Sequence, residues 1–142
     1  MKKYVVDASV AVKWFIPEIH TDAALRLLKE ERELIAPDLF LPEFANVLWK
    51  KIRRNELSEV DARDILNALS TVPIQLHSAS TLVNPAFEIA RALDRTVYDS
   101  LYIALAESEV CELVTADQRL FNALQQTPLQ RRVVWVESIT SK

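Results

Sequence analysis

Four acids stand where segments of regular structure begin or end: Asp7, Glu43, Asp99 and Asp117. Asp7 follows the apolar run Tyr4-Val5-Val6, and Asp117 follows Leu113-Val114-Thr115-Ala116. Both runs read as buried strands, so each acid sits at a carboxyl end. Open parallel sheets bind ligands in the crevice beyond those ends. If the two strands are neighbours, their acids share one crevice. Glu43 and Asp99 fall in the first turns of two helical segments. The segment that Asp99 opens, Leu101-Tyr102-Ile103-Ala104-Leu105-Ala106, is apolar on every side, as a central helix is. A helix N-terminus favours the ionised carboxylate, and carboxylates held ionised are ligands for a hard cation. Acids at helix starts also cap the helix and complement its dipole. The separations of 36, 56 and 18 residues match no compact metal motif, so spacing alone leaves both roles open.

The elements that must position these acids follow from periodicity and breakers. Short strands are predicted at Lys3-Tyr4-Val5-Val6-Asp7, Leu34-Ile35-Ala36, Ile74-Gln75-Leu76, Glu112-Leu113-Val114-Thr115 and residues 133–136. Helices are predicted over residues 8–15, stopped at Pro17, and from 22, with Thr21 as N-cap. Pro42 sits just inside a helix running to about 54, and Ser58-x-x-Asp61 resembles a capping box for a helix to about 71. Further helices end near Leu93, span residues 98–108, and run from 117 to about 126. Asn84-Pro85 leaves the start of the first of these open. Strands alternating with helices indicate an α/β domain with a central, mostly parallel sheet. No linker or repeat interrupts it, so residues 1–142 read as a single domain. Thr127-Pro128 and the last few residues are the expected mobile segments.

Composition narrows the function. The chain has 142 residues, 50% hydrophobic and 26% charged, enough to bury a core without a metal or disulfide. It contains no glycine, which excludes the P-loop and the G-x-G-x-x-G turn. Left-handed backbone positions must then fall to residues such as Asn55 and Asp94. Cys111 is the single cysteine, so no intrachain disulfide forms, and a reducing cytoplasmic location fits. The apolar runs fall far short of the ~20 residues a membrane span needs, and Asp7 interrupts any signal-like start. Net charge is -3, so contact with nucleic acid requires a local basic patch or a bound cation.

Four segments carry a resemblance: Val5-Val6-Asp7-Ala8-Ser9, Pro42-Glu43-Phe44-Ala45-Asn46, Val97-Tyr98-Asp99-Ser100-Leu101-Tyr102 and Val114-Thr115-Ala116-Asp117. Together they resemble the signature blocks of PIN-domain ribonucleases, and their order and the chain length are most similar to VapC-type toxins of toxin–antitoxin pairs. The resemblance covers residues 3 to about 136. It implies a three-layer α/β/α sandwich, an acidic pocket at the carboxyl edge of the sheet, bound Mg²⁺ or Mn²⁺, and RNA as substrate. It also implies a small antitoxin as partner, and commonly a homodimer. The family's acids carry over onto Asp7, Glu43, Asp99 and Asp117, and its two small hydroxyls onto Ser9 and Thr115. Where the family often has a glycine before the last of these strands, this chain has Glu109-Val110-Cys111.

The chemistry then implied is hydrolysis of a phosphodiester by metal-activated water. Asp7 and Asp99 are the expected principal ligands. Asp117 completes the set or orients a water, and Glu43 binds a second ion or positions the attacking water. Ser9, Thr115 and Asn46 support them by hydrogen bonding. Close carboxylates repel, so at least one is expected to have a raised pKa without a cation. Glu43, Asn46, Lys50 and Arg53 or Arg54 follow helical spacing and form a stripe that could track RNA, or an ordinary solvated helix end. Arg131-Arg132 is a weaker candidate of the same kind. His20 and His77 lack partners at ligand spacing, Cys111 reads as a structural thiol, and Trp14, Trp49 and Trp135 read as packing. Residues 10–15 and 44–49 offer apolar material for a dimer or for the core. Two alternatives stand beside the nuclease: a non-catalytic module of the same fold, and a phospho-acceptor. Ser9, where a dehalogenase-like phosphatase needs a second Asp, weighs against the last.

Overall fold

The computed structural model describes residues 1–29 and 31–140. Five strands form one sheet: β1 (Lys2–Val6), β2 (Arg32–Pro37), β3 (Ile74–His77), β4 (Glu112–Thr115) and β5 (Val133–Trp135). Every pairing is parallel and the order is β3-β2-β1-β4-β5. Parallel strands covered on both faces need continuous apolar runs. Val5, Val6, Leu34, Ile35, Ala36, Leu113 and Val114 meet that need, all nearly inaccessible to solvent. The chain builds β1, β2 and β3 outward on one side and then returns to place β4 against the other edge of β1. The topological switch point therefore lies between β1 and β4, where Val6 is in register with Val114.

Seven α-helices flank the sheet among the described residues: α1 (Ala8–Ala11), α2 (Thr21–Leu25), α3 (Phe40–Arg53), α4 (Glu59–Leu69), α5 (Val83–Leu93), α6 (Val97–Ser108) and α7 (Gln118–Leu124). The result is the expected α/β/α sandwich. Helix α6 is central: residues 100–106 are all buried, and it packs against β1, β2 and β4 with α5 beside it. Thr96 caps it, its Oγ1 accepting from the Asp99 amide. The half capping box at Ser58 forms as predicted, with Oγ accepting from the Asp61 amide. No helix among the described residues is long and apolar enough to cross a membrane.

Several local expectations are corrected. Thr21 is the first residue of α2, not its cap; its Oγ1 instead accepts from the Glu18 amide, and His20 precedes the helix in a left-handed conformation. Pro42 does sit just inside α3, which begins two residues earlier, where the N–H is still free of an intrahelical partner. The Thr127-Pro128 turn is tied down: the Thr127 amide and hydroxyl both donate to the Leu124 carbonyl. Ser141 and Lys142 lie outside the described residues. Asn55 and Asp94 do take positive φ, but so do His20, Val110 and Gln126. Val10, Ala11, Val12, Phe44 and Leu48 are spent in the core, leaving Trp49 exposed at 50%.

Candidate active site

Asp7 and Asp117 end up side by side because β1 and β4 are neighbours. Each then caps the short helix that follows it. Asp7 Oδ1 accepts from the Val10 amide at 3.1 Å. Asp117 Oδ1 accepts from the amides of Arg119 and Leu120 at 3.0 and 3.2 Å. Glu43 enters from the first turn of α3, and Asp99 from the first turn of α6. The four acids line one pocket of about 210 Å³, together with Ser9, Asn46, Lys50 and Tyr102. Capping and pocket-lining are thus compatible, because a strand-end acid can bond one amide and still face the crevice.

Two hydroxyls lock the strand ends together. Ser9 Oγ donates to Asp7 Oδ1 at 2.6 Å and accepts from the Ala116 amide. Thr115 Oγ1 donates to Asp7 Oδ2 at 2.8 Å and accepts from the Asp117 amide at 3.0 Å. Both Asp7 oxygens are therefore held, and the hydroxyls couple the position of Asp7 to that of Asp117. Asp7 is only 7% exposed and has no cationic partner among the described residues. Burial pushes its carboxyl up to about 6; the bonds from Ser9, Thr115 and Val10 oppose that rise, and Asp117 adds to it. Glu43 is also raised, by burial first and by Asp99 to a smaller extent, against the pull of a 2.6 Å bond from Tyr102 Oη to its Oε1. The expected raised pKa values are present, but desolvation leads and carboxylate repulsion follows.

The stripe on α3 divides. Glu43, Asn46 and Lys50 line the pocket. Arg53 turns away: its guanidinium stacks over the Trp49 ring at 5.0 Å, in a groove between α3 and α4. Arg54 lines a separate cleft that adjoins the pocket at Lys50. Arg131 and Arg132 both pair with Glu107, away from the acids. His20 bonds Glu137 and packs edge-on against Trp135, and His77 lies at the end of the edge strand β3. Cys111 is half-buried, its thiol pushed up by burial.

Two residues of the site escaped sequence reasoning. Tyr102 orients Glu43, and its place three residues after Asp99 on the same helical face could have signalled it. Arg95, which precedes the Thr96 cap of α6, pairs through Nη2 with Asp99 Oδ2 at 2.9 Å. The i, i+4 spacing was visible, but that Arg95 would lie beside the pocket was not.

The donor set fits a hard divalent cation. Its polar lining is four carboxylates, two hydroxyls, the Asn46 amide and one lysine, and among the described residues neither the buried Asp7 nor the half-buried Glu43 carboxylate has an ion-pair partner. Among the described residues no three His, Cys, Asp or Glu side chains converge closely enough to hold one ion as they stand. The expected tight four-acid cluster is therefore an open ring of acids around a pocket, with Asp99 turned to Arg95.

The PIN-domain family pattern matches residues 4–125, which takes in all four acids. The chain belongs to the PIN-domain family. Ribonuclease VapC3 of Pyrobaculum aerophilum is 38% identical over 120 residues, spanning 83% of this chain and 92% of the relative. A crystal structure of a P. aerophilum protein superposes with a TM-score of 0.69 at 25% identity, covering 96% of this chain and 91% of that one. A toxin–antitoxin complex from Klebsiella pneumoniae shares the fold, with a TM-score of 0.57 at 14% identity over 92% of this chain and 95% of the other. Within the PIN-domain family this chain thus stands with the VapC ribonucleases.

Proposed function

We propose that this PIN-domain protein is a divalent-metal-dependent endoribonuclease, hydrolysing RNA phosphodiester bonds in the cytoplasm as the toxin of a toxin–antitoxin pair with a small antitoxin as its inhibitor. One observation carries the reading: acids from four separate elements line a single pocket at the β1/β4 switch point. A purely structural role would need each acid only as a local cap, and would not gather them. The relationship to VapC ribonucleases supports the substrate class.

Asp7 and Asp99 would hold the ion, with Asp117 beside Asp7 completing the set or orienting a water, and Glu43 near Asp99. When bound, Mg²⁺ or Mn²⁺ lowers the pKa of a water and stabilises charge on the phosphate. Ser9 and Thr115 fix the Asp7 rotamer, so no side-chain freedom is lost when a cation or substrate arrives. Tyr102 occupies Glu43 Oε1 and leaves Oε2 for a proton of the attacking water; the raised pKa of Glu43 suits it to accept that proton. Lys50 at the rim supplies positive charge toward the phosphate.

The test is cleavage of total cellular RNA by antitoxin-free protein with Mg²⁺ or Mn²⁺, beside EDTA and an Asp7→Asn/Asp99→Asn variant of confirmed fold. Cleavage lost in both controls supports the reading. Cleavage that persists in the double variant places the chemistry outside this pocket, and cleavage that persists in EDTA removes its dependence on a divalent metal.

A further inference from the structure

A second cleft opens beside the carboxylate pocket, and its charge is opposite. It measures about 320 Å³ and shares Ser9, Val47 and Lys50 with the pocket. Its charged lining is four cations, Lys13, Lys50, Lys51 and Arg54, against one carboxylate, Glu18. In a chain of net charge -3 that is a local inversion of sign, on the α3 side of the acidic pocket.

The cations fall into two pairs. Lys13 is 7% exposed, a rare burial for an ammonium, and its Nζ reaches Glu18 Oε1 at 3.0 Å. Lys51 reaches the other oxygen of the same carboxylate at 3.2 Å. Glu18 thus bridges two ammonium groups much as a phosphate would, with one anionic oxygen to each. Lys50 and Arg54 have no ion-pair partner among the described residues. Glu18 belongs to the exposed turn before α2, so its side chain can swing into solvent, and the buried Lys13 ammonium then needs another anion in its place.

We propose that this cleft binds the RNA backbone phosphate adjoining the cleaved bond, and that Glu18 is a built-in occupant which the backbone displaces from Lys13 and Lys51. The proposal rests on the ribonuclease reading of the neighbouring pocket. Lys50 and Arg54 supply the open half of the cleft and make first contact. Lys13 and Lys51 engage once Glu18 has left. RNA is favoured over an acidic protein because the cleft is continuous with the pocket through Ser9 and Lys50, so one strand can occupy both. The device also lowers the affinity of the empty cleft for adventitious anions, since each must compete with a tethered carboxylate.

Binding is measured with the full chain in EDTA, where no turnover occurs, using a short fluorescein-labelled single-stranded RNA over a salt series. Lys50→Ala/Arg54→Ala is expected to weaken binding about tenfold and to reduce the slope of log K against log salt by about 1.4, two phosphate contacts on a single strand. Arg63→Ala/Arg91→Ala removes the same charge from exposed positions outside the cleft and is expected to leave the slope unchanged. Glu18→Gln is expected to tighten binding about three- to fivefold, the scale of one partly screened charge interaction. Equal losses in the two double variants, or no loss in either, overturn the cleft. Unchanged binding in Glu18→Gln, with thermal unfolding showing an intact fold, overturns its role as occupant. Cleavage in Mg²⁺ is scored separately: cleft-dependent binding without cleavage removes the nuclease reading and keeps the cleft, whereas cleavage with cleft-independent binding does the reverse.

Discussion

Replacing Asp7 by Asn is expected to stabilise the metal-free protein while abolishing cleavage. Folding moves the Asp7 carboxyl from an ordinary 3.8 to about 6, chiefly by burial. That difference corresponds to about 3 kcal/mol disfavouring the ionised form. The native protein keeps the proton between pH 3.8 and about 6, where the unfolded chain has released it. Wild-type stability therefore falls as pH rises through that window and is level above it. Asn carries no such penalty. Its amide still accepts from Ser9 and Val10, but it presents NH₂ to Thr115, whose hydroxyl already accepts from the Asp117 amide. That mismatch costs about 1 kcal/mol. The net gain for Asp7→Asn is about 2 kcal/mol at pH 7.5, or about 4–8 °C in Tm, shrinking to within about 0.5 kcal/mol of zero at pH 4. Urea unfolding of both proteins in EDTA from pH 4 to 8 measures it. A variant less stable than wild type at pH 7.5, or a difference flat across that range, would refute the claim that desolvation governs this carboxyl.

Added Mg²⁺ or Mn²⁺ at a hundredfold excess over its Kd is expected to stabilise wild type by about 2.7 kcal/mol and Asp7→Asn by far less; equal thermal shifts would place the ion elsewhere. Tyr102→Phe removes the bond that holds the Glu43 pKa down, so that pKa rises further and the acid limb of the kcat/KM profile moves to higher pH. An unmoved limb would show that Glu43 does not titrate in the reaction. Val110 has φ 51° and is 72% exposed, closing α6 where a glycine would rest without strain. Val110→Gly is expected to gain about 0.5–1 kcal/mol, a left-handed penalty of about 1–2 kcal/mol less the entropy of glycine; chemical denaturation that shows a loss would contradict it.

Much of the scaffold was legible along the chain. Buried parallel strands need unbroken apolar runs, and a helix apolar all round must be central, so β1, β4 and α6 announced themselves. Ser58 could be read as a cap because its bond is local. The misreadings came from competition between local options. Thr21 could cap α2, but its hydroxyl bonds the Glu18 amide instead. Val110 takes a left-handed turn because the close of α6 onto β4 demands one, against its own preference. Arg53 lies on the expected face but gains more by stacking on Trp49 than by extending toward the pocket.

The sequence by itself determined which acids could serve, since Asp7, Glu43, Asp99 and Asp117 each stand at an element end set by local periodicity. It also determined the family, through four blocks in order. Only the tertiary structure decided that β1 and β4 are neighbours, that Thr115 reaches back 108 residues to Asp7, and that Arg95 and Tyr102 hold the other two acids. It alone decided that a buried Lys13 and Glu18 form one wall of a basic cleft beside the acidic pocket. The reason is physical. Periodicity and capping depend on neighbours within about a turn, whereas desolvation, pairing and charge apposition depend on which distant segments share the same few ångströms.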